Sequence, residues 1–135
     1  LGIPYDHLIT LMFMESGINH KARNTSYPFS DGTCAYGLIQ ITPVVRDYYG
    51  IDYKELTNMN EFEQLDVVCK YFDNKKHRIS NFYQLCLSCY LPSYINKPDS
   101  FKFPNKYVRC NPGLGETIKE YKEFTNKKYN SIKEL

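Results

Sequence analysis

The 135-residue sequence predicts a mainly α-helical domain, on three observations. Apolar residues recur every three or four positions in the segments 60–72, 81–90 and 116–132. These segments open or close on helix-capping residues, Pro or Gly. Alternating strand patterns are hard to find, so helix-on-helix packing is the expected architecture. The length suits one compact domain over 1–135, able to bury roughly two thirds of its unfolded surface. No apolar run approaches the ~18 to 20 residues of a membrane helix, which predicts no membrane partner.

Taken in order, Asp6 is the expected cap of a first helix. Its residues Leu8, Ile9, Leu11, Met12, Phe13 and Met14 are apolar nearly all round, which predicts a central, buried position. Gly17 suits the stop. Residues 18–36 are rich in Asn, Ser, Thr, Pro and Gly, and read as a long loop of the kind that carries function. A short element follows at 37–41. Thr42-Pro43 then has the form of a helix start, with its stop at Gly50.

Asn60 begins the clearest helix, with Glu63 placed to complete a capping box and Phe62, Leu65, Val68, Cys69 and Phe72 as its expected stripe. Asn81 begins another, carrying Phe82, Leu85, Cys86, Cys89 and Tyr90 before Pro92 ends it. Residues 92–115, punctuated by Pro98, Pro104, Pro112, Gly113 and Gly115, read as a loop. From about Glu116 a last helix aligns Ile118, Tyr121, Thr125, Lys128 and Ile132 on one side.

Net charge is +2, divided between −5 over residues 1–68 (4 Lys/Arg, 9 Asp/Glu) and +7 over 69–135 (13 Lys/Arg, 6 Asp/Glu). The excess is spread through the last helix as Lys119, Lys122, Lys127, Lys128 and Lys133, which reads as a solvated face. With no binding motif and no basic-aromatic stripe, a nucleic-acid partner is not expected. Five Cys in a chain of this size predict reduced thiols. Cys86-x-x-Cys89 falls on an apolar helix face without a second pair or His at zinc-like spacing. His7, His20 and His77 stand in unrelated segments, with His20 a marginal cleft candidate. No metal or other cofactor is expected.

Glu15 stands out because it ends the apolar helix, where desolvation disfavours its charged form and raises its pKa. A Glu protonated near neutral pH can act as a general acid on a glycosidic oxygen. Its company is Glu15-Ser16-Gly17, then Lys21-Ala22-Arg23-Asn24, then Ala35-Tyr36-Gly37-Leu38-Ile39-Gln40. This ordered set resembles the soluble lytic transglycosylase and goose-type lysozyme superfamily, with Ile39 in place of the Met of a G-L-M-Q motif. Residues 59–72, the stretch Y-L-P-S-Y-I-N-K-P-D at 90–99, and Asn111-Pro112-Gly113-Leu114 are similar to lysozyme-like domains of bacteriophage tail and virion proteins.

The resemblance spans about residues 4–115 and implies a lysozyme-like domain with a catalytic cleft. It implies Glu15 as catalytic acid/base, with Ser16 and Gln40 as glycan-positioning residues. Gly37 would give close backbone approach, and Tyr36, by its position, stands as either a stacking surface or core. Tyr90 matches the Tyr of an A-Y-N motif without its flanks, so it stands as either a site residue or core. The implied partner is the peptidoglycan glycan strand, cut between N-acetylmuramic acid and N-acetylglucosamine, together with other virion or tail proteins. The implied location is a phage particle acting on the bacterial wall, or else a secreted or periplasmic enzyme. Because the chain starts at Leu1 without a signal-peptide pattern, it is expected to be part of a longer polypeptide.

Hydrolysis would need a second carboxylate, at ~5 to 5.5 Å or ~6.5 to 9.5 Å according to stereochemistry. Asp31 and Asp47 are the candidates, and no motif supports either. A lytic transglycosylase needs none, so that chemistry is preferred. A hydrolytic lysozyme and a noncatalytic lysozyme-like virion domain, structural or glycan-binding, are the alternatives.

Overall fold

The computed structural model describes residues 2–134, which form helices joined by loops and three isolated bridge pairs. The helices are α1 (Tyr5–Ser16), α2 (Pro43–Tyr49), α3 (Tyr53–Thr57), α4 (Glu61–Asp73), α5 (Phe82–Tyr90), α6 (Asn105–Cys110) and α7 (Ile118–Lys133). The mainly α expectation therefore holds. The chain divides into two compact units, one built from residues 11–74, the other from 2–10 and 75–134.

In the first unit, α4 is the organising element. Asn60 Oδ1 accepts from Glu63 N (2.9 Å) while the Glu63 carboxylate accepts from Asn60 N (3.1 Å), so the expected capping box is complete. Loss of this cap in Asn60→Ala is expected to cost about 1 kcal/mol, read as a lower urea midpoint at unchanged slope. The buried stripe differs from the expected one. Gln64, Val67, Val68, Tyr71 and Phe72 face inward, whereas Phe62 and Cys69 are exposed. The true stripe keeps the helical spacing but includes Gln64, whose polarity would assign it to the surface.

α2 starts at Thr42-Pro43 and stops at Gly50, as expected. The short α3, capped by Asp52 through Glu55 N (2.6 Å), lies in a stretch with too few apolar repeats to announce it. Residues 18–41 are not a shapeless loop. Asn24 N donates to Ala35 O (3.1 Å), and Tyr36 pairs through its backbone with Ile41 (3.2 and 2.8 Å), folding the segment back on itself.

α1 departs from expectation at both ends. Asp6 lies inside the first turn rather than at the cap; there its charge complements the helix dipole, and its carboxylate accepts from the Tyr129 hydroxyl, which holds its pKa below the ordinary value. The helix is not wrapped on all sides: Thr10, Leu11 and Met12 are buried, but Ile9 is 49% and Phe13 41% exposed. Its C-terminal stop is as expected. Gly17 adopts φ 66°, a left-handed conformation open to a residue without Cβ, and donates to Phe13 O (2.9 Å).

In the second unit, α5 packs against α7. Asn81 caps α5 through Gln84 N (3.1 Å), and Phe82, Leu85, Cys86, Leu87 and Ser88 are buried on it. Ile118, Tyr121 and Thr125 form the inner face of α7; Lys128 on the expected stripe is exposed. Residues 92–115 contain α6 and two 3-10 turns, so this segment is more ordered than its Pro and Gly content indicates. Pro can occupy the first turn of a helix without loss of a bond, and Pro92 and Pro112 do so.

Candidate active site

Ser16, at the end of α1, is fixed by local chemistry. Its hydroxyl meets Met12 O (3.0 Å), one turn back, and Leu38 O (3.0 Å), across the loop, and it accepts from Asn19 N (3.3 Å). The hydroxyl thus ties the end of the helix to the 37–41 turn. Its immediate neighbour Glu15 faces a cavity of about 490 Å³ lined by Glu15, Ser16, Ala22, Arg23, Asn24, Ala35 and Gln40. Three separated sequence segments, 15–16, 22–24 and 35–40, therefore converge on one concavity. They are the segments that carry the quoted motifs.

Burial pushes the Glu15 carboxyl up to about 7, and desolvation is the whole cause. No side chain among the described residues pairs with it or donates to it. A carboxyl in this state is half protonated at neutral pH and can give or take a proton.

Gln40 reaches the same cavity with a left-handed backbone, φ 55°. Its Nε2 donates to Ala22 O (3.1 Å) and Gly37 O (3.0 Å), leaving Oε1 as the uncommitted acceptor of the amide. Arg23, on the same wall, is held by its guanidinium lying 5.5 Å from the Tyr36 ring centroid and 6.0 Å from that of Tyr53. Arg23 and Asn24 enter the sequence reading only as letters of a motif; the structure puts them on the cavity wall.

The other expected site residues sit elsewhere. Tyr36 is 2% exposed, its ring covered by Arg23 and Tyr53, so it has no face to offer a sugar, and of its two readings the core one holds and the stacking one does not. Gly37, at φ 90°, lacks a Cβ for a different reason from the one expected. A Cβ there would overlap the Gln64 amide, 2.7 Å from its Cδ, so the close approach is made by a protein side chain. Tyr90 belongs to the second unit. Its hydroxyl donates to Tyr107 O (3.4 Å) and accepts from Asn111 Nδ2 (3.3 Å), its ring stacks on Tyr121 at 5.9 Å, and burial raises its pKa.

Neither candidate second carboxylate lines the Glu15 cavity. Asp31 accepts from the Thr33 backbone and hydroxyl (2.9 and 2.6 Å) and pairs with Arg46 (3.4 Å), which keeps its pKa below the ordinary range. Asp31 thus caps its own turn, as polar loop residues commonly do. Asp47 is exposed on α2. His20 lies 3.8 Å from Glu61 and lines another cavity with Met12, Ile18, Leu38 and Leu65. Among the described residues no cluster of His, Cys, Asp or Glu is disposed to hold a metal ion.

The residue missed outright is Gln64. It is fully buried, its Oε1 accepts from Leu38 N (2.8 Å), and its Nε2 donates to His20 O (2.6 Å). Its partners are backbone groups, which carry no side-chain signature in the sequence.

Compared with known proteins, the chain matches no family model, no curated protein and no solved structure.

Proposed function

We propose that this protein cleaves the β-1,4 bond between N-acetylmuramic acid and N-acetylglucosamine in peptidoglycan, as a lytic transglycosylase with Glu15 as its acid and base. The observation that carries this reading is the Glu15 carboxyl, desolvated to a pKa of about 7 in a cavity of about 490 Å³, with no charge paired to it among the described residues. The resemblance of the flanking motifs supplies the substrate class.

In the first step, protonated Glu15 donates to the glycosidic oxygen as the C1–O4 bond breaks, leaving positive charge on the muramic sugar ring. The Glu15 carboxylate formed there then accepts the proton of the same sugar's 6-hydroxyl as O6 bonds to C1. The ring closes to a 1,6-anhydro product and Glu15 is again protonated. One carboxyl with a pKa near working pH serves both steps. Gln40 Oε1 offers an acceptor, and Arg23 and Asn24 offer donors, for the hydroxyl and acetamido groups of a bound strand.

Among the described residues Glu15 is the only acidic one in the lining of this cavity, which favours ring closure over a two-carboxylate hydrolysis. On this reading the protein acts at the bacterial cell wall, and the resemblance to virion domains suggests delivery on a phage particle. The test is the clearing of a suspension of purified peptidoglycan. A fall in turbidity with release of soluble fragments is expected; a suspension unchanged at micromolar protein would overturn the reading.

A further inference from the structure

Two non-glycine residues in the described chain have left-handed backbones: Ile18 at φ 59° and Gln40 at φ 55°. For a β-branched residue such as Ile18 this conformation is a true outlier, kept only where surrounding contacts over-determine it. Both residues lie beside groups held by one side chain. Ile18 is two residues before His20, whose carbonyl accepts from Gln64 Nε2 (2.6 Å). Gln40 is two residues after Leu38, whose N–H donates to Gln64 Oε1 (2.8 Å).

Gln64 is therefore bound at both ends of its amide to the two loops that wall the Glu15 cavity. Gly37 lies directly over it, and any Cβ there would expel the amide. The linkage continues: Leu38 O accepts from the Ser16 hydroxyl (3.0 Å), and Ser16 adjoins Glu15. A buried amide held this way is costly to leave half-paired, so it fixes the separation of the loops.

We propose that Gln64 is a positioning residue of the active site, a buried amide clamp that holds the 20–24 and 37–40 loops over Glu15 through His20 and Leu38. The inference rests on the proposed role of Glu15. It accounts for the shape of the cavity beside Glu15: Ala22, Arg23, Asn24 and Gln40 of its lining are on the clamped loops. The ionisable side chains nearby are Arg23 in the cavity wall, and Glu61 and His20, which lie 3.8 Å apart.

The test compares the natural protein with Gln64→Leu and Gln64→Glu. In the natural protein, hydrogen exchange should show the Leu38 amide protected although it lies in a turn; exchange at the rate of an open loop would overturn the clamp without any substitution. Gln64→Leu removes both bonds at similar size. Its Glu15 midpoint, followed by carboxyl NMR, should drop from about 7 toward the ordinary 4.5. Its kcat on peptidoglycan should fall about 10²-fold with a smaller change in KM.

Gln64→Glu keeps the acceptor for Leu38 N–H but recovers the donor to His20 O only when its introduced carboxyl is protonated. Its kcat, relative to the natural protein at each pH, should therefore rise as pH falls. A purely structural role would lower the melting temperature without moving the Glu15 midpoint or making the kcat ratio pH-dependent. A folded Gln64→Leu variant with unchanged Glu15 titration would refute the clamp. A natural protein that leaves peptidoglycan uncut would refute the proposed function, while the exchange and titration readouts still decide on the clamp.

Discussion

Glu15→Gln is expected to lower peptidoglycan cleavage by about 10³-fold or more while leaving the helical circular dichroism spectrum intact. Gln has nearly the shape of protonated Glu but cannot donate a proton to a leaving oxygen or take one from a sugar hydroxyl. General acid–base catalysis contributes about 10² to 10⁴ per group, and here one group would serve in both steps. The fold should not suffer, because among the described residues the Glu15 carboxyl has no hydrogen-bond or ion-pair partner that the substitution would break. Initial rates of fragment release, measured at equal protein concentration, check this. Retention of more than a tenth of the natural rate would remove Glu15 from the mechanism.

The second large effect is on stability. A carboxyl raised from 4.5 in the open chain to about 7 in the fold is protonated more readily when folded. Between these two values the folded state holds a proton that the unfolded state has released, so stability falls as pH rises through the window and levels off above about 7. At pH 8 the natural protein then carries the full cost of a desolvated carboxylate, up to about 3 kcal/mol. Glu15→Gln carries none of it. The variant should therefore be the more stable at pH 8, by up to about 3 kcal/mol, with its advantage shrinking to near zero below pH 4. Urea titrations at both pH values measure this. The same proton sets the catalytic profile: kcat/KM should decline above about pH 7 as the acid form is lost. A variant that is inactive yet more stable at high pH is the pattern of a site built at the expense of stability.

The features legible in the sequence are those whose chemistry is local. Asn60 with Glu63, Asn81 and Gly17 mark helix ends because a cap is satisfied by the residues next to it, and Pro43 marks one because its ring suits the first turn. Glu15 was legible for a related reason: an apolar approach followed by a stop predicts desolvation, and the carboxyl is in fact pushed up to about 7 by that cause alone. Features that depend on what covers a surface were not legible. Ile9 and Phe13 have the pattern of buried residues and are half exposed, because periodicity says which side chains could be covered and not what covers them.

Tyr36 shows the same limit in reverse. An aromatic ring suits a sugar-stacking wall and a core equally, and only its burial under Arg23 and Tyr53 decides between them. α3 and α6 are too short to build a repeat. Gln64 is the instructive omission. A polar residue at an interior helical position reads as solvent-facing, and its partners, the Leu38 N–H and the His20 carbonyl, are present in every peptide unit. The only trace it leaves in the sequence is Gly37, which must lack a Cβ to admit it.

The central claim is that Glu15 both breaks the glycosidic bond and closes the sugar on itself. Mass spectrometry of the soluble fragments released from purified peptidoglycan tests this most directly. Muramic-acid ends lighter by one water, with no reducing muramic acid formed, are the predicted result. Fragments bearing free reducing muramic ends would contradict it and place the attacking oxygen on water.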